Sequence, residues 1–149
     1  RVTSVTVVSP AGLGSEINMD YVNGFIAEKR ARKLRSVLEM LVAHPEMISK
    51  DMIEDVLKFK RLDGVDQALA TLRNGCFPGG NQKAKLRDRL DGLKVPVRVV
   101  VGNQDQIIPP RHSEGLPAAI AVTTFDDAGH MPHMEKAADV NDLIRSFVT

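Results

Sequence analysis

Two side chains 25 positions apart, Asp105 and His130, are placed where acid–base chemistry is done. Asp105 lies in Gly102-Asn103-Gln104-Asp105-Gln106-Ile107-Ile108-Pro109, directly after Val95-Pro96-Val97-Arg98-Val99-Val100-Val101. That run is β-branched almost throughout, as expected of a strand covered on both faces of a parallel sheet. His130 ends Asp126-Asp127-Ala128-Gly129-His130, directly after the strand-like Ala121-Val122-Thr123-Thr124-Phe125. A carboxylate and an imidazole therefore sit at the C-terminal ends of successive strands, the edge of an open α/β sheet where catalytic groups collect. An imidazole acting as general base needs a carboxylate to fix its tautomer and stabilise its protonated form. Asp105 alone would suit a loop that it turns through its own backbone; the histidine after the next strand favours chemistry.

Other groups carry weaker signals. His130-Met131-Pro132-His133, with His112 and His44 elsewhere, suggests metal ligands, but Pro132 interrupts a continuous helical face and neither an HExxH pattern nor a cysteine cluster accompanies it. No metal is expected, and His133 and His112 are expected to be structural or pocket-lining. Lys29, Arg30, Arg32, Lys33 and Arg35, then Lys83, Lys85, Arg87 and Arg89, carry enough positive charge to attract phosphates, although such runs are more often a solvated helix face. No residue is assigned to cofactor binding.

The elements that must position Asp105 and His130 follow from periodicity. Residues 2–9 are short and β-branched, closed by Pro10, and form a first strand; Ala11-Gly12-Leu13-Gly14 begins a loop. From residue 20 to 93 the period is helical: Leu34, Val37, Leu38 and Leu41 mark one helix ended by Pro45. A second, capped by Ser49, carries Met52, Ile53, Val56 and Leu57; a third, capped by Asp63, carries Val65, Ala68, Leu69 and Leu72 and stops at Gly75. Leu86, Leu90 and Leu93 mark a fourth. Core strands at 95–101 and 121–125 and a closing helix with Val140, Leu143, Ile144 and Phe147 complete the chain. Strands separated by helices imply an α/β class, a short parallel sheet of about three strands with right-handed crossovers.

Composition sets outer bounds. The chain has 149 residues, 43% hydrophobic and 26% charged, with a net charge of +1, so no attraction to nucleic acid or an acidic membrane is expected. The charge is uneven: 17 basic against 12 acidic residues up to Arg98, then 3 against 7. A single Cys excludes an internal disulfide framework, and no apolar run approaches the length of about 20 residues needed to span a membrane. The start at Arg1-Val2-Thr3-Ser4-Val5, with a strand pattern already running, reads as a piece of something longer.

Gly102-x-x-Asp105-x-x-x-Pro109 and Ala128-Gly129-His130, in the chain order acid then histidine, resemble the α/β hydrolases. The resemblance implies the C-terminal part of one such domain over 1–149, with a helical cap insertion at about 13–93, and a cytoplasmic enzyme in which Asp105 and His130 are catalytic. The chain departs from the family in lacking its nucleophile elbow, Gly-x-Ser-x-Gly. Ser113 precedes Gly115 but follows Arg111, and Cys76 follows Asn74 at the matching offset. The elbow and oxyanion loop are expected upstream of Arg1, this segment alone is expected to be inactive, and its open first strand or cap helices are expected to self-associate.

A closer resemblance rests on Ser9-Pro10-Ala11-Gly12-Leu13-Gly14-x-Glu16-Ile17-Asn18, Lys60-Arg61-Leu62-Asp63-Gly64-Val65-Asp66 and Phe77-Pro78-Gly79-Gly80. These segments are similar to the dihydrolipoyl acetyltransferase components of acetoin dehydrogenase complexes. That resemblance implies transfer of an acetyl group from dihydrolipoamide, carried on a separate upstream lipoyl domain, to coenzyme A, and partner subunits like those of 2-oxo-acid dehydrogenase complexes. A serine esterase or related hydrolase on the same scaffold and a non-catalytic assembly domain are the alternatives.

Overall fold

The computed structural model describes residues 1–147; residues 148–149, the end of the domain expected over 1–149, lie outside the described residues. Three parallel strands, β1 (Val5–Val8), β2 (Val97–Gly102) and β3 (Ile120–Phe125), form one sheet in that order. Val5 stands opposite Val97, and Val97 opposite Ile120. Four helices lie between β1 and β2: α1 (Met19–Ala27), α2 (Ala31–Leu38), α3 (Lys50–Lys60) and α4 (Val65–Cys76). After β3 come a single turn, α5 (Pro132–Glu135), and the closing helix α6 (Ala137–Arg145).

Two apolar clusters divide the packing. Leu13, Val97, Val99, Val101 and Ile120, with Val5, Val7, Leu90 and Leu116 against them, cover one face of the sheet. Val100 and Val140 are buried too, and on α6 the Leu143 carbonyl accepts a 2.6 Å hydrogen bond from Arg98, whose guanidinium lies 4.6 Å from the Phe147 ring centre. The second cluster, Leu34, Leu38, Val42, Ile48 and Ile53, belongs to the helical insertion and reaches the site through Met131. The insertion thus has a core of its own, as its 3.6-residue apolar period requires.

Several elements differ from the pattern read in the sequence. The first strand begins at Val5 rather than residue 2. Ser49 caps α3 as expected, its Oγ accepting from the Met52 N–H at 3.1 Å. Asp63 does not cap α4: Gly64 takes that position at φ +80°, a left-handed conformation that its missing Cβ permits. α4 runs through Gly75 to Cys76 and ends before Pro78. The fourth helix is a 3₁₀ segment, Arg87–Gly92, and Leu72, Leu86 and Leu93 are exposed, because nothing among the described residues covers the faces that carry them. α1 was not separately anticipated; its N-cap is Asn18, whose Oδ1 accepts from the N–H groups of Asp20 and Tyr21 at 3.0 and 3.1 Å.

Burial decides which leucines hold the insertion together. Leu34 is fully buried and Leu72 is 57% exposed. Leu34→Ala is expected to lower stability by about 2–5 kcal/mol, whereas Leu72→Ala should change it by no more than about 0.5 kcal/mol, both read from denaturant unfolding.

Candidate active site

The site is built where β2 and β3 end. Gly102, the last residue of β2, admits no side chain: a Cβ there would lie 2.1 Å from the Gly129 carbonyl oxygen and 2.3 Å from that of Ala128. This close approach lets the two following loops bond to one another. The Asn103 N–H donates to the Phe125 carbonyl at 2.8 Å and the Gln104 N–H to the Ala128 carbonyl at 2.9 Å. The Asn103 and Gln104 side-chain amides donate to Asp126 Oδ1 and its carbonyl at 3.2 and 3.0 Å.

On that framework Asp105 and His130 meet. Asp105 Oδ1 accepts from the N–H groups of Ile107 and Ile108 at 2.7 and 2.9 Å, and Oδ2 is 2.8 Å from His130 Nδ1. The Asp105 side chain is 2% exposed and that of His130 23%. A nearly buried carboxylate with both oxygens engaged holds the Nδ1–H tautomer, leaving Nε2 as the free base. No partner bonds Nε2 among the described residues, and His130 lines a cavity of about 320 Å³. The walls are mainly apolar side chains of the insertion, including Ile17, Tyr21, Phe25, Leu69 and Phe77, with Ile108 from the acid loop. Burial holds the Tyr21 phenol above its ordinary range, so it stays protonated.

Neighbouring groups shape this cavity. Lys60 donates to the Phe25 and Ile26 carbonyls at the end of α1 and lies 4.8 Å from the Phe25 ring centre. Burial, then the nearby Lys29 charge, draws its amine below the usual lysine range. Ser9, just past β1, holds φ +43°, a strained angle for a non-glycine residue, and its buried Oγ has no hydrogen-bond partner among the described residues. In the sequence Ser9 stands only as a strand end and as the first residue of a segment that carries the family resemblance, with no role of its own.

Glu135 also lacked a signal in the sequence, yet it joins the histidine loop to the insertion. Its Oε2 accepts from the Gly129 N–H at 2.7 Å and its Oε1 from the Ala43 N–H at 2.6 Å. Gly129 itself lies against that segment, where a Cβ would come within 2.8 Å of Ala43 N and the Val42 carbonyl carbon. His44 adds a further tie, its Nε2 2.6 Å from Asp127 Oδ1. The remaining histidines separate. His112 is buried with Nε2 2.6 Å from Glu16 Oε2, and His133 is exposed. Among the described residues no cluster of three or more metal-ligating side chains forms.

Two outcomes test these supports. Glu135→Ala leaves two N–H groups unpaired and is expected to lower stability by about 1–3 kcal/mol for each. Glu135→Gln should recover little of this, because its NH₂ group faces one of those donors; denaturant midpoints compare the two. Glu16 is held at about 2, against an ordinary 4.5, first by its hydrogen bond to His112 and then by Arg111. A depressed carboxyl contributes stability that is present above the ordinary value and lost as pH falls toward the folded one. The stability difference between the protein and Glu16→Gln should therefore be present above about pH 4.5 and be lost as pH falls through about 2 in acid unfolding.

No family profile matches the chain. It is 46% identical over 148 residues to the dihydrolipoyllysine-residue acetyltransferase component of the acetoin cleaving system of Cupriavidus necator, covering 99% of this chain and 40% of that protein. The component of the same name from Pseudomonas putida is 40% identical over 148 residues, covering 99% of this chain and 39% of that protein. The chain thus spans about two fifths of the length of these curated relatives. Among solved structures, a meta-cleavage product hydrolase from Pseudomonas fluorescens IP01 superposes with a TM-score of 0.81 at 16% identity, over 99% of this chain and 56% of that one. With nearly the whole chain superposing on about half of a hydrolase, and with 40–46% identity over 148 residues, the chain is a partial α/β-hydrolase fold related to the acetyltransferase components of acetoin-cleaving systems.

Proposed function

We propose that this chain supplies the acid–base couple of an acyltransferase that moves an acetyl group from a dihydrolipoamide thioester to coenzyme A. The observation that carries this is the 2.8 Å pair of His130 Nδ1 and Asp105 Oδ2, with Nε2 free at an apolar cavity. The whole-chain kinship with the acetoin-system components supplies the substrate class.

In this scheme His130 Nε2 removes a proton from the attacking group, either a serine hydroxyl from outside these residues or the coenzyme A thiol itself. Asp105 stabilises the resulting imidazolium without taking its proton. The thioester C–S bond breaks as the new bond to the acyl carbon forms, and His130 returns the proton to the departing dihydrolipoyl sulfur. If serine attacks first, the same two residues activate the coenzyme A thiol for the second displacement. The products are acetyl-coenzyme A and free dihydrolipoamide, so atoms and protons balance. The cavity fits this use because its apolar walls can cover a lipoyl hydrocarbon arm while His130 faces the reacting carbon. The lipoyl group itself belongs to a separate domain, and other subunits of a multi-component complex in the cytoplasm are the partners. No helix among the described residues is long and apolar enough to cross a membrane. The outer edge of β1, which pairs with no strand among the described residues, extends the proposal to association through that edge.

A hydrolase using water on the same couple is the second reading, favoured by the hydrolase-like sheet. In the intact protein, His130→Ala and Asp105→Asn are each expected to lower kcat/KM for thiol-dependent acetyl transfer by about 10²–10⁴-fold. Ester hydrolysis indifferent to added thiol would replace transfer with the hydrolase reading. Undiminished activity in His130→Ala would leave only an assembly role.

A further inference from the structure

The fold separates the cations that the sequence places in two runs. Lys29 pairs with Asp66, Lys33 lies 3.9 Å from Glu28, and Arg35 donates to the Ile48 carbonyl at 2.8 Å. Arg87 donates to the carbonyls of His112 and Glu114. Arg30 and Arg32 stand at the start of α2 and do not line the cavity holding His130. That leaves Lys83, Lys85 and Arg89, whose side chains have no ion-pair or hydrogen-bond partner among the described residues. All three line one groove of about 660 Å³.

This groove has a fixed wall. Buried Gln82 accepts from the Gly12 N–H at 2.6 Å and donates to the Glu16 carbonyl at 2.7 Å, and the Leu86 N–H donates to the Gly12 carbonyl at 2.8 Å. The segment bearing the cations is therefore laced to the loop after β1. Ala11 and Phe77 line both this groove and the cavity that holds His130, so the two spaces adjoin. The groove therefore carries three unpaired cations, and the adjoining cavity carries mainly apolar walls, the Arg73 side chain and the His130 imidazole.

We propose that this groove binds the phosphate end of the acyl acceptor, a nucleotide thiol of the coenzyme A type. Its phosphates lie against Lys83, Lys85 and Arg89, and its uncharged arm passes Ala11 and Phe77 to bring the thiol to His130. The proposal rests on the reading that the acceptor is a thiol rather than water. Coenzyme A is charged at one end and reactive at the other, which is the order of chemistry along these adjoining spaces. Neither water nor a lipoyl arm, both uncharged, has use for the cations.

Cys76 reports on the site independently of turnover, since it is exposed, lines the same groove and is the single cysteine of the chain. In the intact protein, alkylation of Cys76 by iodoacetamide is followed by peptide mass with adenosine 3′,5′-bisphosphate as the probe, which carries phosphates and no thiol. The probe is expected to protect Cys76, and Lys83→Glu/Lys85→Glu/Arg89→Glu to raise the concentration for half-protection about tenfold or more. The same variant should lower the preference in kcat/KM for coenzyme A over pantetheine by a similar factor. The triple Gln variant, which removes charge without reversing it, should shift both readings in the same direction and guards against a folding defect. Absence of protection, or protection and acceptor preference unchanged in both variants, overturns the groove assignment while leaving acyl transfer standing. Protection lost in the variants of a protein that transfers acyl groups to no thiol would overturn the acyltransferase reading and leave a phosphate-binding groove.

Discussion

The candidate site depends on how closely the end of β2 approaches the backbone after β3. Adjacent strands are about 4.8 Å apart, and side chains at their ends would ordinarily hold the following loops further away. At Gly102 there is no side chain, and the carbonyls of Ala128 and Gly129 occupy the space a Cβ would take. Backbone hydrogen bonds from Asn103 and Gln104 then fix the separation of the two loops. Asp105 and His130 consequently meet through main-chain geometry, not through long side chains reaching across a gap. In the proposed role such a couple is oriented before any substrate arrives, which is how a positioned base lowers a barrier without reorganisation during the reaction.

The same scaffold assigns different duties to its two halves. The sheet loops hold the acid and the base, while the insertion supplies most of the cavity wall and has its own buried cluster. They are joined at discrete points: Asn18 donates to the Ile107 and Gln106 carbonyls, and Glu135 bridges Ala43 and Gly129. Changing Phe25 or Leu69 alters the wall without touching the residues that orient His130. This division lets the cavity wall vary while the Asp105–His130 pair stays fixed, since function resides in the site and not in the fold.

Much of this was legible in the sequence where neighbours along the chain determine the outcome. β2 is β-branched because both its faces are covered, and Asp105 and His130 follow directly after successive strands, so the pairing of the two strand ends singled them out. The helix capped by Ser49 was legible for the same local reason. α1 was obscured by Gly24 at its centre, a weak helix former, and the start of α4 passed from Asp63 to Gly64. Leu72, Leu86 and Leu93 kept a helical period yet lie exposed, because periodicity reports a face and not what covers it. Glu135 and Ser9 were invisible for a different reason: the first acts on Ala43, 92 positions away, and the second is notable only for its backbone angle and unpartnered hydroxyl. The cation runs could not be sorted until their partners were in place.

An imidazole and a carboxylate serve water and thiols alike, so in the proposed transfer the choice of acceptor must come from elsewhere. A thiol, with a pKa of about 8.5, releases its proton some seven orders of magnitude more readily than water at about 15.7. The couple therefore has far less to do for a thiol. An acceptor can also be selected by its remote end, because contacts distant from the reacting atom can hold the thiol at the base. For coenzyme A those contacts are phosphates, and the cations left unpaired beside the cavity are where such binding energy is available. In the proposed transfer it is therefore the outlying cations that select a phosphate-bearing thiol, since the acid–base pair is indifferent.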